Sequence, residues 1–583
     1  MKRYISLIIC MLFGGIVNAV QVWDGISKVE FWTKGSGTES DPYLIETPAH
    51  LAYLRYVLGE ADNSIKRYVA QAYYRQTDDF DLDGNDWSPI GSPGETAFSG
   101  IYDGDGHYIS NAALSIVTDS ENTNSCYGIF GECQKATLKN IFLQGTFTLK
   151  LPTFAVGQKF ANFSPLVAVA KECVFIHCVN SSTCNLVAYK KYSSYVRSVQ
   201  PAYDFRIGGI SAYAEKCLFQ NCANLGDWSC QISGSQNYDS DPLFGGIVGY
   251  AKETIVRNSY NSGRLSAQME SYRGGAAERC GGIVGRIDGC TIQECYNCGE
   301  IVSIYETTST YPAYPELGGI IGTTSTSLNV SSFVEKCYNI GDIKVRISSS
   351  YYQEGKNLKG CMGGIVGSGS YTKLNACYNK NNVTISGQYD VHGDTQSYIA
   401  GLIGKASKDT IQNSYTVFSF VRSSPDVNIY GTLSTSVASD CVFENAHYIS
   451  TAATDQIQGT AQTAEYMKSE AFVNQLNENG TYFRMDTKNE NEGFPILGVF
   501  STYQLLVKAG EGGTTQGSGN YAENAQVTIS ATPSDTYKFI GWSDGSIDNP
   551  RTIIVQSDST LTASFRRTHY AIKVSQDCNV TME

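Results

Sequence analysis

The 583-residue chain contains little histidine, and its motifs exclude several common chemistries. None of the six histidines belongs to an HExxH pattern, so a zinc metalloprotease is not indicated. The motif GGIVG is never followed by Gly-Lys-Ser/Thr, which excludes a phosphate-binding loop. The GSGS segment at residues 367–370 lacks the full Gly-x-Ser-x-Gly pattern of a serine hydrolase. The sequence therefore carries no recognisable catalytic signature.

Positive charge and long apolar runs are also scarce. Lys and Arg number 43 against 56 Asp and Glu, and the net charge of −13 argues against nucleic acid or an anionic membrane surface as the main partner. Only the N-terminus has a long apolar run, at residues 5–17, after Lys2 and Arg3 and before a Val-x-Ala ending at Ala19. This pattern predicts a secretory signal peptide over residues 1–19, cleaved after about Ala19. We expect no transmembrane segment and a secreted or cell-surface location.

A repeat fills most of the chain. Residues 281–299 read GGIVGRIDGCTIQECYNCG, and residues 245–263 are a near copy. Related units begin at Gly208, Gly318, Gly363 and Ala400, and weaker ones begin at Tyr127, Ser164 and Tyr430. The starts recur every ~37 residues, a period typical of a solenoid, propeller or array.

Each repeat predicts three strands and no helix. GGIVG reads as a short apolar strand, residues 291–295 alternate as a half-buried strand does, and Tyr-Asn-x-Gly reads as a turn before a third strand at residues 300–302. A core of about 19 residues is too short for the four strands of a propeller blade. The expected fold is all-β, a right-handed parallel β-helix whose equivalent positions form columns.

Three columns follow from the repeat. Asparagines are expected to hydrogen-bond from coil to coil, and tyrosines of the turn to stack. Cysteines and serines fill a third column. These residues suggest a column of small buried side chains, with disulfides as the alternative. A metal site is not indicated, because the one CxxC motif has no second half. The columns are Asn180, Asn224, Asn261, Asn297, Asn339 and Asn379; Tyr260, Tyr296, Tyr338, Tyr378 and Tyr415; and Cys178, Cys222, Ser259, Cys295, Cys337, Cys377 and Ser414.

The chain outside the repeats predicts caps and a separate module. Residues 20–110 form an N-terminal cap, with a short helix after the Thr-Pro pair at Thr47, and residues 111–450 form the β-helix. Residues 451–500 have a helical pattern and close the coil, and residues 501–567 alternate as a compact β module. Residues 568–583 restart that module, so we expect the reading frame to continue beyond Glu583.

Three resemblances accompany this pattern. The segments GSGTESDPYLIETPAHLAYL, DFDLDGNDWSPIG and FSGIYDGDGHYISN, followed by GGIVG units, resemble the secreted GLUG-motif proteins over residues 35–498. That resemblance implies an exported bacterial surface protein, a class often regarded as adhesive, and no catalytic residue set. Residues 503–565, with Phe-x-Gly-Trp at Phe539, resemble the internalin-type B repeat, a small β-grasp-like spacer of surface proteins. DGDGHYI at residues 103–109 is similar to the opening of pectin-lyase-type β-helices, which keeps an enzyme as an alternative by fold analogy.

The candidate binding face is a ridge of tyrosines. Loops that follow the third strand are rich in Tyr, Ser and Gly, a composition that evolved binding loops use. Because every such loop leaves the same corner of the coil, stacking should align them. The alternative is that these rings only pin the loops to the scaffold. The ridge comprises Tyr192, Tyr195, Tyr238, Tyr272, Tyr305, Tyr311, Tyr314, Tyr351, Tyr352 and Tyr389.

A weaker candidate is a calcium site. Asp79, Asp81 and Asp83 precede Gly84 in a D-x-D-x-D-G pattern, but Ile90 stands where an EF-hand loop needs Glu. The simpler interpretation is a strand followed by an Asp-Gly turn. No other cofactor is indicated.

The sequence thus predicts an exported, monomeric adhesin that binds an extracellular glycan or protein through the tyrosine ridge. It predicts no nucleic-acid partner. A β-helix carbohydrate-active enzyme and a surface spacer without its own ligand are the alternatives.

Overall fold

The structure is a computed structural model, and the statements below concern the residues it describes. These are residues 20–29, 31–92, 95–114, 124–150, 160–190, 204–234, 242–271, 277–307, 313–325, 330–349, 358–387, 397–422, 433–437, 440–449, 458–500, 502–522, 525–555, 558–568, 572–574 and 580–582. The predicted signal peptide lies outside them. The chain divides into two compact units, of which one ends at Asn479 and the other begins at Gly480.

The first unit is a parallel β-helix, which confirms the predicted fold class. Its best-formed coil contains five strands, namely Ala277–Gly281, Val284–Asp288, Thr291–Gln293, Tyr296–Asn297 and Ile301–Thr307. Each strand pairs in parallel with the equivalent strands of both neighbouring coils. Apolar side chains from all sides of the coil fill one continuous core.

Three parallel sheets run along the coil axis. The first sheet contains Asn124–Tyr127, Phe160–Phe163, Asp204–Gly208, Leu243–Gly245, Ala277–Gly281, Tyr314–Gly318, Cys361–Gly363 and Tyr398–Ala400. The second contains Phe130–Gln134, Val167–Lys171, Ser211–Glu215, Val248–Lys252, Val284–Asp288, Ile321–Thr324, Val366–Ser368, Ile403–Ala406 and Ser434–Val437.

The third sheet has three rows of strands. The first row is Ile101–Asp103, Thr137–Lys139, Val174–Ile176, Leu218–Gln220, Ile255–Arg257, Thr291–Gln293, Ser332–Glu335, Thr372–Asn375, Thr410–Thr416 and Val442–Ile449. The second is Val179–Asn180, Ala223–Asn224, Tyr260–Asn261, Tyr296–Asn297, Tyr338–Asn339 and Tyr378–Asn379. The third is Tyr108–Leu114, Phe142–Lys150, Thr183–Lys190, Trp228–Gly234, Leu265–Ser271, Ile301–Thr307, Ile343–Ser349, Asn382–Gly387 and Ser419–Arg422.

The GGIVG motif is a corner rather than one strand, which corrects the sequence interpretation. Ala277–Gly281 ends at the first glycine and Val284–Asp288 begins two residues after the second. Glycine is needed because backbones come close here. A Cβ on Gly281 would lie 2.1 Å from the carbonyl oxygen of Val284, and one on Gly282 would lie 2.4 Å from Cγ of Asn297. The repeat therefore has a strand before the motif that the sequence did not reveal.

The Tyr-Asn-x-Gly segment is also not the left-handed turn that was predicted. Tyr296–Asn297 is a short strand, and the left-handed residue is Glu294, with φ 53°. The strand after it, Ile301–Thr307, is longer than the three residues expected. These differences shift the corners of the coil but keep its period.

The asparagine column forms the predicted ladder inside the coil. The six side chains are fully buried, and each amide nitrogen from Asn180 to Asn339 donates to the next Asn oxygen. The five distances are 2.8, 2.7, 2.7, 2.8 and 3.0 Å in chain order. Asn379 ends the ladder by donating to Oδ1 of Asn381 at 2.8 Å. The ladder therefore links successive coils.

The tyrosine column forms a parallel stack beside the ladder. Ring centroids of Tyr260, Tyr296 and Tyr338 are 4.8 and 4.9 Å apart, with interplanar angles of 5° and 3°. The stack continues through Tyr378 to Tyr415, where the last spacing is 5.3 Å. Phe472 then packs edge-on against Tyr415 at 5.9 Å and closes the stack.

Most cysteine side chains pack in the core of the coil. The sixteen cysteines of the described residues are free thiols, and all of them except Cys298 and Cys441 are buried. Burial raises the pKa of the Cys184, Cys290 and Cys361 thiols to about 12, so they hold their protons in neutral solution. This arrangement agrees with the small-side-chain interpretation rather than with disulfides.

Helices occur at the two ends of this unit. At the N-terminal end, Pro48–Glu60 begins directly after Thr47, as the Thr-Pro pair predicted, and a second helix spans Asn63–Ala70. Short strands Gln21–Val22, Tyr43–Ile45, Tyr73–Gln76, Phe80–Asp81 and Asp86–Trp87 join the third sheet here. At the other end, Thr460–Gln462 pairs with the last coil, and helices Ala464–Met467 and Glu470–Leu476 follow. No helix of the described residues is long and apolar enough to cross a bilayer.

The second unit is built mostly of strands. After Phe483–Arg484, Ile496–Leu497 and the 3-10 helix Gly498–Phe500, seven strands form two sheets. They are Thr502–Ala509, Gly513–Gln516, Gly519–Ala522, Ala525–Pro533, Tyr537–Trp542, Arg551–Val555 and Ser559–Arg567. Trp542 is buried among Leu505, Ile529 and Ala563, and its Nε1 donates to the carbonyl of Asp548 at 2.9 Å. The strands Ile572–Val574 and Val580–Met582 pair after this module.

Burial predicts selective thiol labelling. Among the thiols of the described residues, a maleimide applied to the native chain should modify Cys298 first, because its side chain is exposed. The protein packed around this surface position still removes part of the water that would solvate the thiolate, which raises the pKa of Cys298 to about 11. Labelling should therefore accelerate as the pH rises towards that value. Peptide mapping by mass spectrometry is the measurement, with Cys298→Ser as control. Equal labelling of Cys295 and Cys337, or disulfides between them, would contradict the buried-thiol column.

Candidate functional site

The predicted tyrosine loops start from stacked positions. Each loop joins a third-row strand to a first-sheet strand of the next coil, as residues 308–313 join Ile301–Thr307 to Tyr314–Gly318. The strand ends are in register from coil to coil and comprise Lys190, Gly234, Ser271, Thr307 and Ser349. Since neighbouring parallel strands lie about 4.8 Å apart, the loop bases form a continuous row along one corner.

Most of the ridge tyrosines lie outside the described residues. Those eight are Tyr192, Tyr195, Tyr238, Tyr272, Tyr311, Tyr351, Tyr352 and Tyr389. The structure describes Tyr305 and Tyr314, and it places them in different environments.

Tyr314 lies on the surface at the row of loop bases. It is the first residue of Tyr314–Gly318, in register with Ala277 of the preceding coil, and its side chain is 38% exposed. Its side chain is therefore accessible at this corner.

Tyr305 is buried, and its assignment to a surface loop was wrong. It belongs to Ile301–Thr307, where alternate side chains point into the core, and it is 1% exposed. Its hydroxyl donates to Oε2 of Glu278 at 3.2 Å. The register gives the physical reason, since Met269 and Ile347 occupy the same column in the neighbouring coils.

A cation–aromatic cluster that sequence reasoning missed lies on strands of the first and second sheets. The rings of Tyr213 and Tyr250 meet edge-on at 5.4 Å. The guanidinium of Arg206 lies 4.6 Å from the centre of the Tyr213 ring, and that of Arg286 lies 5.1 Å from Tyr250. Such contacts stabilise a surface when partly desolvated. No loop signal marked these residues, because both tyrosines sit inside regular strands.

The three aspartates of the possible calcium site do not converge. Oδ1 of Asp79 lies 3.1 Å from Nδ1 of His107 and accepts from the backbone N–H of Tyr108. Oδ1 of Asp81 accepts from the backbone N–H of Asp83 and from Nδ2 of Asn111, at 2.8 and 2.9 Å. Across the described ranges, no three His, Cys, Asp or Glu side chains are grouped as metal ligands. The Asp79 and Asp81 carboxylates instead form hydrogen bonds within the turn and to the neighbouring coil.

Carboxylates on the outer face of the third sheet pair with lysines of neighbouring coils. Nζ of Lys139 lies 3.0 Å from Asp103, which also accepts from Nδ2 of Asn140 at 2.9 Å and from the backbone N–H of Asp105. Burial acts to raise the pKa of Asp103, but these hydrogen bonds and Lys139 outweigh it and leave the pKa below its ordinary value. A carboxylate held this way is a poor general base near neutral pH.

Comparisons with known proteins match parts of the chain. A family model for the divergent InlB B-repeat domain matches residues 503–569, which supports the predicted B-repeat-like module. A protein of Evansella cellulosilytica with the provisional name Gly-rich membrane protein is 28% identical over 151 residues, covering 25% of this chain and 15% of that protein. Halomucin of Haloquadratum walsbyi is 34% identical over 142 residues, covering 22% of this chain and 1% of halomucin. The chain therefore aligns with less than a fifth of either relative's length.

A solved structure is also similar. The crystal structure of a protein from Bacteroides ovatus, provisionally named an immunoglobulin A1 protease, aligns over 80% of this chain and 95% of its own, with 14% identity and a TM-score of 0.36.

The two described ridge tyrosines should respond differently to truncation. Tyr305→Ala should lower the free energy of unfolding by ~3–5 kcal/mol, because it opens a cavity and removes a bond to a buried carboxyl. Tyr314→Ala should change it by less than ~1 kcal/mol, because the side chain is half-exposed. Urea denaturation of each variant is the measurement. Equal losses would contradict the placement of Tyr305 in the core.

Proposed function

We propose that this protein is an exported surface protein that binds an extracellular glycan or protein through its row of loops. One observation carries the proposal. The loop bases are stacked in register along one corner, and Tyr314 is exposed at that corner. A rigid scaffold from which Tyr-rich loops start at aligned bases is an arrangement suited to recognition.

Two further findings support a surface location. The B-repeat match at residues 503–569 belongs to a module type that the internalin resemblance links to surface proteins. One relative is named a membrane protein, and the GLUG resemblance likewise implies export. The predicted signal peptide at residues 1–19 would direct that export.

A surface spacer remains the second candidate function, because one predicted ridge residue proved to be structural. Tyr305 lies in a strand with its ring in the core, so the candidate binding ridge loses one of its ten aromatics. An enzyme receives less support, because the Lys139–Asp103 pair on the outer face has its carboxylate fully engaged.

Binding should depend on the exposed corner. Tyr314→Ala should weaken binding at least about tenfold, because aromatic anchors carry a large share of interface energy. The purified full chain is tested against a panel of glycans and matrix proteins by biolayer interferometry, with and without calcium. Phe333→Ala is the matched control, since Phe333 is 39% exposed on the outer face of the third sheet.

The outcomes separate the candidates. Saturable binding that Tyr314→Ala weakens and Phe333→Ala preserves would support the loop corner as the site. A variant that also replaces Tyr311, Tyr351 and Tyr352 by Ala should abolish it. Equal effects of Tyr314→Ala and Phe333→Ala, or no binding across the panel, would favour the spacer. Cleaved product in the same samples would favour the enzyme.

A further inference from the structure

One coil of the β-helix contains a buried polar group where its neighbours are mainly apolar. Glu278, Ser303 and Tyr305 are each at most 1% exposed. In register with Ser303 lie Ala267 and Val345, and in register with Tyr305 lie Met269 and Ile347. Three polar side chains in one coil are therefore a local departure from the repeat.

The surroundings of the Glu278 carboxyl do not stabilise its negatively charged form. Its Oε2 accepts from Tyr305 at 3.2 Å, while Oε1 has no hydrogen-bond partner among the described residues. Ionising a carboxyl in an apolar core without compensation costs several kcal/mol. The carboxyl is therefore favoured in its neutral form.

The groups that face Glu278 do not favour ionisation either. From the described elements packed around it, the ionisable neighbours are Tyr305, Cys280 and Cys230, and burial raises the pKa of all three well above its ordinary value. Each stays protonated near neutral pH and supplies no positive charge. Burial likewise raises the pKa of Glu278 to about 7, and the Ser303 and Tyr305 hydroxyls only partly offset this.

The position of the group links it to the loop corner. Ser303 and Tyr305 lie on Ile301–Thr307, and the strand next to Glu278 in the following coil begins at Tyr314. Residue 308 follows directly after this strand. A change in packing at Glu278 therefore acts at the base of the loop row.

We propose that Glu278, Ser303 and Tyr305 form a pH-sensitive latch that keeps this coil closed in acidic solution and loosens it as the pH rises through neutral. An effect of the latch on ligand binding rests on the proposed function, whereas the loosening itself does not.

The direction follows from linkage. The folded carboxyl titrates near pH 7 and the freely solvated one near 4.5. The stability of the closed coil is therefore fully present below about pH 4.5 and is lost as the pH rises through about 7. Between pH 6 and 8.5, these two values give an increase of about tenfold in the opening constant of the coil.

Hydrogen exchange of the full chain tests this. Protection of Ala277–Gly281, Ile301–Thr307 and Tyr314–Gly318 is measured from pH 6 to 8.5 and corrected for the intrinsic pH dependence of exchange. The wild type should show the tenfold increase in opening, and Glu278→Gln should show none. Glu316→Gln is the matched control and should match the wild type, because Glu316 pairs with Arg279 at 3.0 Å and is only partly buried.

A control strand and a second variant test the latch further. Thr183–Lys190, three coils before Ile301–Thr307 in the same row, should show no increase. If Glu278→Gln does not fold, Tyr305→Phe should make the increase steeper, because the ionised carboxyl loses its donor. Identical pH dependence in wild type and Glu278→Gln, an equal increase at Thr183–Lys190, or no steepening in Tyr305→Phe would overturn the latch. None of these readouts requires a ligand, so a failure of the proposed binding function would be seen separately.

Discussion

A buried amide must be hydrogen-bonded, and in a parallel coil the best-placed partner of an asparagine is the same asparagine one coil away. The six buried asparagines from Asn180 to Asn379 meet this constraint by donating along the axis. A one-residue slip of a strand would leave amides unpaired and turn core side chains outward. The ladder therefore fixes the register, and the stacked tyrosines and buried thiols beside it occupy positions set by that register.

The same constraint leaves the loops free to vary. Because backbone pairing and the ladder hold the coils together, the segments between the third row and the first sheet need not contribute to the core. The row of loop bases from Lys190 to Ser349 is a consequence of the strand register. Burial of Tyr305 and Glu278 beneath this row shows that one coil departs from the repeat at the corner where binding is proposed.

The repeat period, the asparagine ladder and the tyrosine stack could be predicted from the sequence, because identical residues at a fixed period must stack in a solenoid. The strand before each GG pair could not, since Ala277–Gly281 and Tyr314–Gly318 share little beyond their final glycine. Tyr305 was wrongly assigned to a loop because the sequence interpretation ended the third strand at residue 302. Alternation through Ile301, Ser303 and Tyr305 was the available signal, and a polar Ser at an inward position obscured it. Glu278 had no sequence signal, because its core neighbours come from other strands.

A double-mutant cycle on the ladder tests the account most directly. Asn297→Ala and Asn339→Ala remove neighbouring members, whereas Asn297→Ala and Asn180→Ala remove members three coils apart. Urea denaturation of the single and double variants gives the coupling free energies. The neighbouring pair should couple by about 1 kcal/mol or more, because Nδ2 of Asn297 donates directly to Oδ1 of Asn339 and either single change removes that bond. The distant pair should be additive within ~0.5 kcal/mol. Additivity in both cycles would contradict a ladder that holds successive coils in register.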